Sequence, residues 1–385
     1  MATIYSTMRP HQETLSVDGV IDKLLHKTDA FSLSSTISSY TLDYIVNVIH
    51  ALFSTPVIDK AYIRERIKKV QGYQTQLLKL KALPVVEQRS ETWYNMRKRL
   101  ITASDFAQAL GEGKFGTQKQ FYQKKCGYEE EKFNPNVPPL KWGVMFESMA
   151  AGIYSARNGM VLHEFGLLPH PTVPFFGASP DGITSLGIML EIKCPYKRKI
   201  TGEIPMQYYY QIQGQLDVCG LEECDYLECE FFEYADEQEF LEDTEHLYER
   251  GIIIEYIPPD KNAASTSASY VYSDIVTHGT SIKDQLKTLV EWAMQEEQNT
   301  PGYICTHYWK LKTYNVVRVY KDQSFVDDKL ECLSVVWDKV KEYQDDHALY
   351  TKEVGAARAS RAGTTKKDWG GTGSGITGYA FLDDE

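Results

Sequence analysis

Two short runs, Gly177-Ala178-Ser179-Pro180-Asp181-Gly182 and Leu190-Glu191-Ile192-Lys193-Cys194-Pro195, decide how the chain reads. Pro180-Asp181-Gly182 is a turn-forming run at the end of an apolar strand, and it holds Asp181 at that strand's exposed lip. In the second run Glu191 and Lys193 stand two residues apart and share one strand face, with Ile192 on the other. Glu191 follows Asp181 by ten positions, which is room for a turn and an adjacent antiparallel strand. Such a hairpin brings two carboxylates and an ammonium into one small site. Metal-assisted phosphodiester hydrolysis needs that set, because hard carboxylate oxygens suit Mg²⁺. The ion lowers the pKa of a bound water, and a second ion ~4 Å away can hold the leaving oxygen. A lysine beside it orients the water or stabilises developing charge. The bland alternative is a surface aspartate next to an ordinary cross-strand Glu/Lys pair.

The pattern around these runs is α/β from Ser90 to about Tyr234. A helix over Glu91–Arg99 leads to Ile101-Thr102-Ala103, and Ser104 reads as the N-cap of a helix over Asp105–Leu110, closed by Gly111. A longer helix is expected from Lys141 to Asn158 with Gly159 as its stop. Strands are expected at Val161–Leu168, Phe175–Ala178, Ile188–Cys194 and Tyr226–Tyr234, with a helix from Pro205 through Val218 before the last of them. Residues 1–85 read as a helical N-terminal domain, with Leu42–Phe53 a buried-helix pattern. Ile58–Lys81 is amphipathic, with one basic face. Residues 86–350 form the second unit, in which Asp236–Glu249 is acidic and Pro258–Ser273 a polar loop. Ile282–Glu297 and Gln323–Asp346 read as helices, with Tyr308–Tyr320 a strand between them. Residues 351–385 read as a flexible tail rich in Gly, Ala, Thr and Ser.

Composition sets the outer bounds. The 385 residues are 43% hydrophobic and 24% charged, which excludes wholesale disorder and a coiled-coil rod. No apolar run is long enough for a membrane span, and Met1–Gln12 has no apolar core of a secretory signal. Seven cysteines without regular pairing fit a reducing, intracellular compartment. Cys219, Cys224 and Cys229 recur at every fifth residue, but they lack zinc spacing, and a strand would turn Cys224 and Cys229 to opposite faces. The net charge of −12 hides a split. Lys60–Lys125 holds 15 basic against 5 acidic residues, whereas Leu221–Arg250 holds 13 acidic against 1 basic. The basic region precedes the acidic one, so nucleic acid stays open as a partner.

Other residues extend the candidate site. Glu147 lies on a helix otherwise rich in Ala, Met, Ile and Tyr, where a lone acid needs a partner or a metal. Gln211 and Gln213 lie on the helix after the strand pair, and either amide could contact substrate or support the metal shell. Trp93, Arg97 and Ser104 fall in the basic region, where an arginine and a hydroxyl make a phosphate pocket. Each of these residues alone has an ordinary structural explanation.

In order, Trp93-x3-Arg97-x6-Ser104, Gly143-x3-Glu147, Ser179-Pro180-Asp181-Gly182, Glu191-Ile192-Lys193-Cys194-Pro195 and Tyr210-Gln211-Ile212-Gln213 resemble the lambda-type exonuclease group. This is the YqaJ-like viral recombinase family of the PD-(D/E)XK nucleases. Each motif is weak alone, and the ordered set is specific over about residues 90–235. Tyr308–Lys312 and Val316–Val319 are also similar to versions from large DNA viruses.

The resemblance implies a PD-(D/E)XK core, a mixed central sheet flanked by helices. It implies a Mg²⁺-dependent exonuclease (Mn²⁺ as a substitute, two ions) that resects one strand of duplex DNA from its 5′ end. On this match Asp181, Glu191 and the Ile192 carbonyl ligate metal, and Glu147 supports the second ion. Lys193 activates the water, one of Gln211 and Gln213 assists, and Arg97 and Ser104 hold the 5′-phosphate beside Trp93. A homo-oligomeric ring of three copies around DNA and a single-strand annealing protein are the partners it suggests, with the host cytoplasm or nucleus as the compartment. Tyr379–Glu385 could dock such a partner or serve only as a solubilising end. The alternatives are another PD-(D/E)XK nuclease (an endonuclease or one turned on RNA) and a non-catalytic nucleic-acid scaffold.

Overall fold

The computed structural model describes residues 17–27, 39–52, 59–86, 88, 90–128, 137–243, 248–259, 268–276 and 281–355. Helices come first: α1 (Val17–Lys27), α2 (Ser39–Leu52), α3 (Lys60–Lys81) and α4 (Glu91–Lys98). Asp59 caps α3 by accepting from Tyr62 N, and Ser90 caps α4 by accepting from Trp93 N. Next are β1 (Ile101–Thr102), a 3₁₀ turn at Ala103–Asp105, α5 (Phe106–Ala109), α6 (Gln118–Cys126) and α7 (Pro138–Asn158). Short strands follow: β2 (Leu162–His163), β3 (Leu168–Pro169), β4 (Phe176–Ala178), β5 (Gly182–Thr184) and β6 (Met189–Lys193). Then come α8 (Met206–Cys219), β7 (Glu223–Glu233), α9 (Glu237–Glu242), β8 (Arg250–Tyr256) and β9 (Ser269–Tyr272). The last elements are α10 (Ile282–Asn299), β10 (Tyr303–Tyr320), α11 (Gln323–Asp345) and α12 (His347–Tyr350).

The main sheet runs β2-β5-β6-β7-β10-β8-β9, and β1-β4-β3 form a smaller one. In the main sheet β6 and β7 pair in parallel and the other neighbours antiparallel, so it is mixed. The parallel step needs a crossover, which α8 supplies. On one face of the sheet, Met189, Cys224 and Tyr226 pack against α8, α5 and α11. On the other, Leu190, Ile192, Leu227, Cys229 and Phe231 pack against Met145, Phe146 and Met149 of α7. The expected α/β class, with a mixed central sheet flanked by helices and a helical N-terminal segment, is borne out. Cys224 and Cys229 do face opposite sides, and the seven cysteines are free thiols.

The N-terminal helices share core with the sheet. Ile63, Ile67 and Val70 of α3 pack with Met160, Leu186 and Ile188, while Leu77 and Leu80 join the α8 side. Gly187 turns β5 into β6 at φ +80°, and a Cβ there would lie 2.5 Å from the Tyr73 carbonyl oxygen of α3. A buried ionic cluster adds to this seam. Arg66 bonds Asp22 (2.9 and 2.7 Å) and Glu223, and Arg318 of β10 bonds Glu223 and Asp225. Tyr154 of α7 donates to Asp225 at 2.6 Å.

Several expectations need correction. The strand read over Val161–Leu168 is two strands in different sheets: Leu162 pairs with Thr184, whereas Leu168 pairs with Ala178. The polar loop read over Pro258–Ser273 contains β9, whose Tyr270 and Val271 pair with Glu255 and Ile254. Ser104 is no N-cap. The chain is already in a 3₁₀ turn there, begun from extended Thr102 at ψ 156°, so its hydroxyl is released for other work. Residues 356–385, most of the expected tail with its Tyr379–Glu385 end, lie outside the described residues.

Candidate active site

The centre is built on the β5–β6 hairpin. Gly182 pairs with Leu190 and Ile183 with Met189, so Asp181 sits at the lip of β5 beside the middle of β6. Its Oδ2 accepts the Ile192 N–H at 2.7 Å, which pins the carboxylate against the backbone of the residue expected to lend its carbonyl. Glu191 is fully buried on the α8 face. Three donors hold it: Lys193 Nζ at 2.9 Å and Gln211 Nε2 at 2.6 Å on Oε1, and Gln215 Nε2 at 2.8 Å on Oε2. Lys193 also lies over the Tyr208 ring, 4.7 Å from its centroid.

Glu147, from α7 on the opposite face, reaches the same centre electrostatically. Loss of hydration, then the charges of Glu191 and Glu147, push the Asp181 carboxyl well above the usual range, against the opposing pull of Lys193 and the Ile192 N–H. Three carboxylates against one ammonium leave a local excess of negative charge. Carboxylate oxygens with that excess fit a hard divalent cation, so the residues present suit the expected metal. Among the described residues their ligand atoms do not converge within 4.8 Å as a trio; the group that does is Glu255, Cys305 and His307, elsewhere in the fold.

The glutamines divide. Gln211 and Gln215, four residues apart, share the helix face turned to Glu191. Gln213 points away: it donates to the Tyr320 carbonyl (2.9 Å) and accepts from Asp322 N (2.8 Å), joining α8 to the β10–α11 corner. Of the two alternatives left open, the structure thus sets Gln211 beside Glu191 and Gln213 away from it, and Gln215 is a neighbour of Glu191 that the sequence reading missed. The i, i+4 spacing of Gln211 and Gln215 was the available signal. Close packing seats this helix, since a Cβ at Gly214 would come within 2.9 Å of Phe176 and 3.0 Å of Phe106.

A second cluster of side chains lies beside this centre. Trp93 Nε1 donates to Ser179 Oγ at 3.2 Å, tying α4 to the run that carries Asp181. Arg97 lies over the Trp93 ring at 4.4 Å and donates to Ser104 Oγ at 3.2 Å. Ser104 is 3.0 Å from Thr102 Oγ1, which donates to Asp105. Two lysines of α6, missed in the sequence, close the pocket: Lys124 and Lys125 lie 3.1 and 2.8 Å from Asp105. Lys125 also donates to the carbonyls of Arg97 and Leu100. Burial alone would raise Asp105, and Lys124, Lys125 and Arg97 outweigh it to hold the carboxyl well below its usual range. Burial pushes Lys125 down to about 8 despite Asp105, and lowers Arg97 likewise. Three cations around one carboxylate make a pocket in which an anion is favoured.

Comparison with known proteins bears out the resemblance. Residues 92–222 match the family described as the YqaJ-like viral recombinase domain, a segment that contains every ordered motif from Trp93 to Gln213. The chain is 26% identical over 358 residues to the uncharacterized protein R354 of Acanthamoeba polyphaga mimivirus, covering 82% of this chain and 64% of that protein. It is 24% identical over 161 residues to protein D345L of African swine fever virus (strain Badajoz 1971 Vero-adapted), covering 34% of this chain and 46% of that one. The chain thus spans less than two thirds of the length of these curated relatives. Similar solved structures include an alkaline exonuclease from Laribacter hongkongensis, with TM-score 0.40 and 18% identity over 71% of this chain and 100% of that one. A phage-related exonuclease from Haemophilus somnus 129PT gives TM-score 0.37 and 11% identity over 65% of this chain and 96% of that one. Among the described residues no helix is long and apolar enough to cross a membrane.

Proposed function

We propose that this chain is a metal-dependent exonuclease that enters duplex DNA at a free end, degrades the 5′-terminated strand and leaves a 3′ single-stranded overhang. The observation that carries this reading is the Trp93–Ser179 hydrogen bond at 3.2 Å, which couples the carboxylate–lysine centre to the cationic pocket. A nuclease that cuts anywhere needs only the first. One that begins at ends gains from a neighbouring site for a terminal phosphate. The YqaJ-like match over residues 92–222 supports the same assignment.

On this reading Asp181, Glu191 and Glu147 hold the divalent cation, Mg²⁺ by the hardness of the donors. When bound, the ion supplies a water of lowered pKa and offsets negative charge on the phosphate. Lys193, held at 2.9 Å from Glu191, orients that water and donates toward charge as it develops. Gln211 and Gln215 hold the Glu191 carboxylate in place through their donated hydrogen bonds. Arg97 and Ser104 receive the terminal phosphate, with Lys124 and Lys125 adding positive potential behind them.

Digestion of one linear duplex labelled separately at its 5′ and 3′ ends, beside a closed circle, tests this. The expected result is Mg²⁺-dependent release of 5′ label from the linear form alone, absent with EDTA and with Lys193→Ala. Cutting of the circle would make the protein an endonuclease. No cleavage of DNA by the wild type would overturn the reading.

A further inference from the structure

A second set of ligand-type side chains lies on the β8–β10 ladder. Cys305 and Glu255 are direct cross-strand partners, and His307 lies two residues further along β10 on the same face. Cys305 Sγ is 3.3 Å from His307 Nε2, His307 Nε2 is 2.9 Å from Glu255 Oε2, and Cys305 Sγ is 3.6 Å from that oxygen. All three ligand atoms lie within 4.8 Å of one another. A thiol, an imidazole and a carboxylate on one face are a donor set for a borderline-soft ion, unlike the all-oxygen set around Asp181.

Two further features separate this group from a chance cluster. The other ring nitrogen of His307, Nδ1, is 2.5 Å from Glu233 Oε1 on β7. Metal-binding histidines give their remaining N–H to a carboxylate, which fixes the tautomer and leaves Nε2 as a lone pair toward the ion. In addition, a cation already stands there: Lys141 Nζ, from the first turn of α7, is 2.7 Å from Glu255 Oε2. Its side chain is one-third exposed (33%), so the ammonium has a path to water when another cation replaces it.

We propose that Glu255, Cys305 and His307 bind one Zn²⁺-class ion through Oε2, Sγ and Nε2, with water as the fourth ligand and Lys141 as the cation displaced. Binding breaks the Cys305 S–H bond and forms a metal–thiolate bond, with the proton passing to solvent. Burial and the nearby Glu255 charge push that thiol up to about 11, so the ion itself drives the deprotonation. A second proton leaves from any His307 that is protonated beforehand. Such an ion ties β10 to β8 beside the register shift between Tyr303 and Cys305.

The test uses the reduced, metal-stripped full chain titrated with Co²⁺ as a coloured stand-in for Zn²⁺. One equivalent is expected to produce a thiolate-to-cobalt charge-transfer band that one equivalent of Zn²⁺ bleaches and excess Mg²⁺ does not. Cys305→Ser abolishes the band, and Glu233→Gln weakens binding by about 10–100-fold. Lys141→Ala binds the ion more tightly than wild type. Asp181→Asn keeps the band, which separates this site from the nuclease centre. No band in the folded wild-type chain overturns the proposal, and needs no variant to read. A full band in Cys305→Ser, or its loss in Asp181→Asn, overturns it as well.

Discussion

Replacing Gln213 and Gln215 separately by methionine sets a structural glutamine against one that serves Glu191. Methionine matches the length and volume of glutamine while removing its hydrogen bonds, so cavity effects stay small. Gln213 makes two bonds to backbone groups of Tyr320 and Asp322. At about 0.5–1.5 kcal/mol for each neutral bond, Gln213→Met should cost about 1–3 kcal/mol of stability. Gln215→Met removes one of three donors from a fully buried carboxylate, a charge-assisted bond of about 1.5–3 kcal/mol. The two stability losses overlap, so unfolding alone does not separate the variants. Metal dependence does. Groups that position a metal ligand typically control about 10–100-fold in affinity or activity, so Gln215→Met should raise half-saturating Mg²⁺ or lower turnover by that factor. Gln213→Met should keep wild-type Mg²⁺ dependence at a temperature where it is folded. The assay is initial rate on linear duplex across a Mg²⁺ titration, with denaturant unfolding alongside. A shifted Mg²⁺ profile in Gln213→Met with an unshifted one in Gln215→Met would refute the assignment of these two side chains.

Two further outcomes follow from the buried charges. Asp181 has a raised folded-state pKa, so the folded chain binds more protons than the unfolded one from about pH 4 up to that value, and stability falls as pH rises through the window. Metal-free Asp181→Asn should therefore melt higher than wild type at pH 8, with a gap that closes toward pH 4 and narrows when Mg²⁺ is added to wild type; a pH-independent gap would contradict this. Arg66→Met strands Asp22 and Glu223 with Arg318 as their remaining cation, and should cost about 3–5 kcal/mol in denaturant unfolding without changing Mg²⁺ dependence; a loss under 1 kcal/mol would show that the cluster is not a clamp.

Much of the centre was legible because its chemistry is local. Pro180-Asp181-Gly182 and the two-residue spacing of Glu191 and Lys193 specify a turn and a strand face, and one hairpin brings them together. The Trp93, Arg97 and Ser104 set was legible as a phosphate pocket, but the rest of its charge was not. Its closure depends on Lys124 and Lys125, which in sequence look like any exposed basic pair. The choice between Gln211 and Gln213 stayed open in the sequence because a pattern of residue types carries no direction. The 3.6-residue helix period turns Gln213 away from the face that Gln211 and Gln215 share. β9 was lost in a polar stretch because it is half-buried at the sheet edge, where Ser269-Tyr270-Val271-Tyr272 shows little apolar contrast.

The most direct test of coupling between the two pockets compares kcat/KM on 5′-phosphorylated and 5′-hydroxyl duplex ends for wild type and Arg97→Ala. A charge-assisted bond of about 1.5–3 kcal/mol corresponds to a preference of roughly 10–150-fold for the phosphate. The account expects wild type to show that preference and Arg97→Ala to lose it, with rates on the hydroxyl end nearly unchanged. Equal rates on both ends by wild type, or an undiminished preference in Arg97→Ala, would contradict it.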